Sequence, residues 1–483
     1  MNSKIVTFNN SLYLSENINR LPSHCLLNKG ITGCGGTTVE LLADRDSIIL
    51  CPTKNLVISK QSKDYLGITG DVSNSEIINY LHTKIGYKKL VATYDALPRL
   101  IQLIPNYSEY FLLIDEYHLL FNDYQFRSNP ILFILNNFKQ FKDWCFMTAT
   151  PLKDEFILEE LKGIEKIEYR WTNAKPVNIT IKDTYFTTRS ITKLIEEITD
   201  KNLHIFLNSV KTIKDLVTKL QLNDFRIVCS SQNKEFDKIT DPVCKVNFYT
   251  SCAFEGCDIY DENGLCVIVS DTNISTTVLD ISTKVRQVCG RLRNSKYKDK
   301  VILVLNTSKH RYAGTSEKEF MNRVKESEEL GKANEETFIS ASELGKKSML
   351  RGYSKETSAT MYVNKYEDRI FYDPNLKYLD IYNYKLISEI YSTSISVLTE
   401  MSNYFKPELT ETTLIGLNWI RDIIDFYKEY SYKELETLFS PLFKEHNLVW
   451  NKNNSIKLYF PKYESRRKTK NGKKETYYKF IKF

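Results

Sequence analysis

Short apolar runs at 47–52, 89–92, 111–114 and 144–147 alternate with segments of helical spacing such as 37–44 and 76–83. Runs this short, apolar at consecutive positions rather than at every second one, suit strands buried on both faces of a parallel sheet covered by helices. A break falls near Arg170-Trp-Thr-Asn-Ala-Lys-Pro176. A second set then follows at 177–186, 203–208, 225–230, 245–250, 264–270 and 301–306, with a helical segment at 211–221. The chain therefore reads as α/β, with two such sheets in succession. Beyond about residue 310 Lys, Glu and Ser displace large apolar groups, and 311–350, including Ser316-Glu-Lys-Glu, reads as mobile helices or a connector. Residues 365–404, with Tyr, Leu and Ile at helical spacing, read as helical core.

The stretch Lys29-Gly30-Ile-Thr32-Gly33-Cys34-Gly35-Gly36-Thr37-Thr38 carries the strongest chemical signal. In the phosphate loop G-x-x-x-x-G-K-[ST], glycines let backbone N–H groups close around phosphates, the Lys reaches the β/γ oxygens and the hydroxyl holds Mg²⁺. Gly30 and Gly35 have that spacing and Thr37 takes the hydroxyl position, but Gly36 stands where the Lys belongs. Two readings stay open. Lys29, just before the first glycine, reaches over the phosphates in place of the missing charge, in which case a lysine restored at 36 should be accepted. Otherwise the site holds nucleotide poorly and the chain is a nucleic-acid scaffold.

Further candidates follow in order. Phe111-Leu-Leu-Ile114 ends in Asp115-Glu116-Tyr117-His118, where an Asp at a strand tip can hold Mg²⁺ and the next Glu can polarise an attacking water; an acidic loop after a strand is the plainer alternative. Cys145-Phe-Met-Thr148-Ala149-Thr150-Pro151 is a strand ending in two hydroxyls. In the second half, Thr250, Glu255, Gly256 and Asp258 close another strand. Gln287-Val-Cys-Gly290-Arg291-Leu-Arg293, assigned to a helix, offers two guanidinium groups able to reach a γ-phosphate across a cleft.

Taken together, these segments resemble the superfamily 2 helicase and translocase family over roughly residues 20–310. Gly33-Cys34-Gly35-Gly36-Thr37-Thr38 is similar to motif I (T-G-S-G-K-T) except at Gly36, and Cys51-Pro52-Thr53-Lys54-Asn55-Leu56 resembles motif Ia. Thr93-Tyr-Asp-Ala-Leu97 resembles the next strand-tracking motif, Asp115-Glu116-Tyr117-His118 the D-E-x-H form of motif II, and Thr148-Ala149-Thr150 motif III. Thr250 with Glu255, Gly256 and Asp258 resembles motif V, and Gln287 with Gly290, Arg291 and Arg293 motif VI; the short Q-x-x-G-R-x-R spacing is nearest to viral and phage origin-binding helicases. The resemblance implies tandem RecA-like domains over 1–172 and 173–310, a helical connector over 311–405, and ATP with Mg²⁺ as cofactors. It implies that Lys29, Gly30, Thr32, Gly33, Cys34, Gly35, Gly36, Thr37, Thr38, Gly256 and Asp258 bind nucleotide, with Thr37 and Asp115 holding the metal. Glu116 would activate water, Arg291 and Arg293 would stabilise the transferred phosphoryl, and His118, Gln287, Thr148 and Thr150 would couple the domains. Thr53, Lys54, Thr93 and Thr250 would contact nucleic acid.

Composition agrees. Hydrophobic content of 42% and charge of 26% fit a globular protein, and no apolar run nears the length of a membrane span. No signal-peptide core follows Met1, and the ten cysteines, all between Cys25 and Cys289 without a C-x-x-C pair, read as reduced core residues, so a cytoplasmic protein of a bacterium or phage-infected cell is expected. The net charge of +7 resides in the tail: residues 462–483 hold nine Lys/Arg against two Glu, which is +7, and everything before them nets to zero. Ser431-Tyr-Lys-Glu434 is a capping box, and Ser440-Pro441 signals a second helix start. Strands at 456–463 and 476–482 flank Asn471-Gly472, a hairpin-turn pair, with Arg466, Arg467, Lys468, Lys470 and Lys473 on the arm between. Helices followed by a basic hairpin resemble a winged-helix module over 406–483, with salt-sensitive phosphate contacts; a solvated basic tail is the alternative. The expectation is an ATP-dependent motor on nucleic acid, DNA rather than RNA, in replication of a phage or mobile element alongside other replication proteins. The rival is a replication-initiation protein without catalysis.

Overall fold

The computed structural model describes all residues except 1, 2, 10, 12, 61, 63, 185, 230–235, 256, 308–315, 411–423, 426, 427, 446–449, 451–455, 457–462, 471, 472 and 481–483. The described residues form two compact units, one of 1–181 with 186–410 and one of 182–185 with 411–483.

In the first unit, strands β1 (Lys4–Phe8), β2 (Cys25–Asn28), β3 (Ser47–Cys51), β4 (Leu66–Ile68), β5 (Lys89–Thr93), β6 (Phe111–Asp115), β7 (Asp143–Thr148) and β8 (Glu165–Trp171) build one sheet. Its order is β1-β8-β2-β7-β6-β3-β5-β4, and every neighbouring pair is parallel. The reason is visible in the period-two geometry of a strand. On β6, Leu112 and Ile114 enter one core while Phe111 and Leu113 enter the other; on β3, Ile48 and Leu50 oppose Ile49 and Cys51 in the same way. A run apolar at every position thus fills two cores at once.

The same division recurs in a second sheet of β9 (Asn178–Asp183), β10 (Asn202–Phe206), β11 (Phe225–Val228), β12 (Val246–Tyr249), β13 (Gly264–Ser270) and β14 (Lys300–Leu305), where Cys266 and Ile268 oppose Leu265, Val267 and Val269. Its order is β11-β12-β10-β13-β14-β9 with a seventh strand at the β9 edge, and the run from β11 to β14 is parallel. Two RecA-like domains therefore stand in tandem.

Of the stretch 311–350, read as mobile helices or a connector, the part that begins at Ser316 is anchored to a core, and 374–405 is largely helical core as read. A capping box at Ser316 opens a 24-residue helix, Glu317–Ser340, whose Phe320 and Val324 join the first domain's core. Phe320 stacks on Tyr384 with ring centroids 3.8 Å apart. A hairpin of β15 (Val363–Tyr366) and β16 (Arg369–Tyr372) interrupts the helical pattern, and helix Pro374–Lys385 returns Leu376, Leu379 and Tyr384 to the first core. A π-helical turn, Leu386–Ile390, then carries the chain across, and Leu386, Tyr391, Val397, Met401 and Phe405 belong to the second core. Residues 406–410, expected to open the C-terminal module, are instead β17 (Lys406–Thr410), the edge strand beside β9.

The second unit contains β18 (Glu429–Ser431), β19 (Tyr463–Lys470) and β20 (Lys473–Phe480) as an antiparallel sheet ordered β18-β20-β19. The hairpin is present but its strands run closer to the turn than expected, Lys470 pairing with Lys473, so the basic run lies within the strands rather than on an arm. Residues 464–469 are all exposed, so charges on both faces of this ribbon go unburied. The turn pair Asn471-Gly472 and most of the expected strand 456–463 lie outside the described residues. Ser431 caps its helix as read: its Oγ accepts from Glu434 N (3.2 Å) while Glu434 Oε2 accepts from Ser431 N (2.7 Å). No second helix starts at Pro441, because one helix, Tyr432–Glu445, runs through it. Leu435, Phe439 and Phe443, at i, i+4 and i+8, are fully buried, and both Phe rings pack on Trp450, so burial of a continuous face overrides the local proline signal. Among the described residues no helix is long and apolar enough to cross a membrane.

Candidate functional site

The site is assembled at the carboxyl ends of three adjacent strands, where open α/β sheets place ligands. β7 lies between β2 and β6, with Asn28 level with Thr148 and Asp115 level with Met147. Lys29, Thr148 and the Asp115-Glu116 pair thereby become neighbours although up to 119 positions separate them in sequence. The glycine loop after β2 turns through three left-handed residues, Gly30 (φ 81°), Gly33 (φ 77°) and Gly35 (φ 81°), and Gly35 is the N-cap of helix Gly36–Leu42. Side chains would be strained at all three, so the loop's glycines follow from backbone shape.

Lys29 is buried. Its Nζ donates to Glu116 Oε1 at 2.8 Å and lies 3.4 Å from Asp115 Oδ1, while Thr37 Oγ1 donates to Asp115 Oδ2 at 2.8 Å. Burial opposes the ammonium, but the two carboxylates outweigh it and hold its pKa well above the ordinary lysine value. For Glu116 burial favours the neutral acid, yet Lys29, His118 and the hydrogen bonds from Lys29 and Thr148 hold its pKa down to about 2. Glu116 also has φ 51°, a conformation that costs a non-glycine residue about 1–2 kcal/mol. Tyr94 holds this turn, its hydroxyl donating to the carbonyls of Asp115 (2.6 Å) and Glu116 (3.3 Å).

A fully buried relay continues from Glu116. Thr148 Oγ1 donates to Glu116 Oε2 at 2.9 Å and lies 2.8 Å from His118 Nδ1. Because the hydroxyl proton is committed to Glu116, Nδ1 must be the donor to Thr148, which fixes the tautomer and leaves Nε2 without a partner among the described residues. Burial lowers the His118 pKa to about 4, consistent with a neutral ring. Gln287 enters from the second domain: its Nε2 donates to Glu116 Oε2 (2.9 Å) and Thr150 Oγ1 (3.0 Å), and its Oε1 accepts from Arg291 Nη2 (2.9 Å). Burial lowers the Arg291 pKa, and Arg291 is further held by the Gln287 carbonyl at 2.8 Å.

Two glycines make the inter-domain approach possible. A Cβ on Gly33 would strike the Arg293 guanidinium, and one on Gly290 would strike Thr32 Oγ1. Arg291 and Arg293 lie beyond the helix rather than in it, since helix Arg286–Cys289 ends at Gly290 and both residues then bridge to Ile259. Arg293 pairs with Asp258 at 2.6 Å on the surface side. Thr37 and Asp115 supply hard oxygen donors in contact with each other, which fits Mg²⁺.

Other expected residues lie apart from this network. Cys34 is buried with its thiol toward the Lys29 carbonyl, at 3.8 Å, and Thr38 faces solvent. Gly256 lies outside the described residues. Thr250 is buried and spends its hydroxyl on the Val228 carbonyl (3.4 Å), so a contact from its side chain to nucleic acid does not fit this geometry. Lys54 and Thr93 line a cavity of about 290 Å³ that also holds Asp95, Arg99 and Arg127; Thr53 stands beside it, accepting from Leu56 N at 3.3 Å. Arg466, Arg467 and Lys468 are exposed on β19, in the other unit.

Sequence reading missed Tyr94, Met147, Trp171, Arg127 and Arg286. Arg286 reaches across to the Ala149 carbonyl at 3.1 Å, and its place directly before Gln287 was the available signal. Trp171, whose indole N–H donates to the Lys29 carbonyl at 2.8 Å, comes from a strand end that no local pattern ties to the glycine loop.

No protein-family model and no curated protein matches the chain. Solved structures similar to it include the Mycobacterium smegmatis helicase Lhr bound to ssDNA and AMP-PNP, at 15% identity over 62% of this chain with a TM-score of 0.41. The chain spans 45% of the length of Lhr. S. cerevisiae Dbp5 bound to RNA and ADP BeF3 aligns at 14% identity over 59% of this chain and 79% of Dbp5, with a TM-score of 0.40. The Escherichia coli DEAH/RHA helicase HrpB aligns at 14% identity over 59% of this chain and 40% of its own, with a TM-score of 0.37.

Proposed function

We propose that this protein is an ATP- and Mg²⁺-dependent motor of the superfamily 2 type, acting on DNA in the replication of a phage or mobile element, in the cytoplasm and alongside other replication proteins. One observation supports it above the rest: a continuous chain of contacts runs Lys29–Glu116–Gln287–Arg291, joining a buried cation and base on one domain to a guanidinium on the other. Such a chain registers whether the two domains are closed on each other. Lys29 and the glycine-loop N–H groups bind the triphosphate, and Thr37 with Asp115 would hold Mg²⁺, which when bound neutralises charge on the phosphates. Glu116 accepts the proton of the attacking water, and Arg291 with Arg293 stabilises charge on the transferred phosphoryl. His118, Thr148, Thr150 and Gln287 pass the state of the site between domains. Thr53, Lys54 and Thr93 contact the nucleic-acid backbone with help from Arg127, whose guanidinium is fixed by the Pro52 carbonyl at 2.7 Å. The basic hairpin anchors the template.

Gly36 favours a second reading, a nucleic-acid-binding or initiation factor on the same fold without catalysis. ATP turnover with and without single-stranded DNA separates the two. DNA-stimulated hydrolysis that falls by about 10²–10⁴ in Glu116→Gln is the expected result, the usual worth of a positioned base. Absence of stimulated hydrolysis, with Glu116→Gln indistinguishable from the wild type, selects the second reading.

A further inference from the structure

Gly36 differs from the other glycines of its loop. Gly30, Gly33 and Gly35 have positive φ, whereas Gly36 is an ordinary first residue of its helix, so backbone shape does not call for glycine there. Space does. A Cβ at position 36 would stand 2.6 Å from Met147 Sδ, 3.0 Å from Met147 Cε and 3.4 Å from Lys29 Cδ. Met147 is the penultimate residue of β7, fully buried between Leu27 on β2 and Asp115 on β6. Lys29, itself buried, runs its methylene stem past the bare Cα of Gly36 to deliver its ammonium to Glu116. Met147 and Lys29 thus share the space that a side chain at 36 would occupy.

We infer that Met147 is a positioning residue that fixes the origin of the site's cation: it blocks the path a lysine at 36 would take and borders the stem of the lysine at 29. Glycine at 36 is then a requirement of the relocated lysine. The inference is opposite to the expectation that a lysine restored at 36 would be accepted. The inference rests on the reading in which Lys29 binds the triphosphate. A thioether is pliable, but one enclosed at interior packing density moves only by displacing its neighbours.

The test uses the full chain, equilibrium binding of a fluorescent ATP analogue, and thermal melts to confirm folding. Lys29→Ala should weaken binding by at least about tenfold, the scale of one lost contact. Lys29→Ala with Gly36→Lys should remain as weak, and adding Met147→Ala to that pair should recover about tenfold or more. A role confined to core packing would give no such rescue. Full binding in the Lys29→Ala/Gly36→Lys double variant, or a folded triple variant with no recovery, overturns the positioning role of Met147 while leaving Lys29 as the cation. Wild-type binding in Lys29→Ala alone overturns the reading beneath it. Should Met147→Ala not fold, Met147→Val in the same background removes the Sδ and Cε atoms with a smaller cavity and is scored by the same recovery.

Discussion

The cleft between the two RecA-like domains and the basic hairpin of the C-terminal unit use charge in opposite ways. In the cleft Lys29, Asp115, Glu116 and Arg291 are buried, and each has a hydrogen-bonded or ionic partner. On β19, Arg466, Arg467 and Lys468 lie open to solvent; Lys468 is paired with Glu429 and Arg466 with Glu464, both at the surface. Charges buried together act over short distances and resist screening, so removing one member leaves another stranded. Surface charges are screened within about 8–10 Å at ordinary ionic strength and act additively, through the sum of their field. Geometry is specified in the first region and attraction in the second.

That contrast can be broken most forcefully in the cleft. Lys29→Ala, which leaves two carboxylates facing each other without their cation, should lower ATP turnover by about a thousandfold, equivalent to ~4 kcal/mol in the barrier. The loss should persist as salt is raised. Reversing Arg466, Arg467 and Lys468 to Glu should instead leave DNA-independent turnover intact and weaken DNA binding at low salt. Removing up to three phosphate contacts should flatten the dependence of log affinity on log salt by up to about 3. An unchanged slope would move the DNA contact away from the hairpin.

Acid sharpens the comparison further. Burial depresses His118 from 6.5 to about 4, so the unfolded chain takes up this proton first as pH falls. The stability His118 lends is complete above 6.5 and is lost on descending to about 4. His118→Gln should therefore flatten the melting profile across that window. The smallest effect is local: Ser431→Ala removes the cap of helix Tyr432–Glu445 and should cost about 1 kcal/mol in the melting of the C-terminal unit, with turnover unaffected.

Features with a local cause were readable from the chain. Four of the strands in the first sheet are centred on short apolar runs, and the capping box at Ser431 is a four-residue pattern. β1 and β8 escaped because they pair at the sheet edge and carry exposed residues that break the apolar run. Pro441 misled because the buried face of Leu435, Phe439 and Phe443 is a tertiary fact that outweighs a dipeptide signal. In the site, Lys29, Asp115, Glu116, Gln287 and Arg291 were all marked beforehand, since each sits in a short pattern. What joins them was not. The Gln287 bridge and the obstruction of position 36 by Met147 depend on strand order, and no spacing along the chain encodes which strand will lie between two others.

The return of residues 317–385 to the first core, followed by the crossing at Leu386 into the second, has a mechanical outcome. The polypeptide passes between the lobes at the 172–177 segment, returns between 305 and 317, and crosses again where helix Pro374–Lys385 becomes the π-turn, so the lobes are tied at more than one place. A single proteolytic nick at 172–177 would therefore leave the lobes tied to each other by covalent chain, so cutting that segment alone should not free Gln287 from the lobe that carries Glu116.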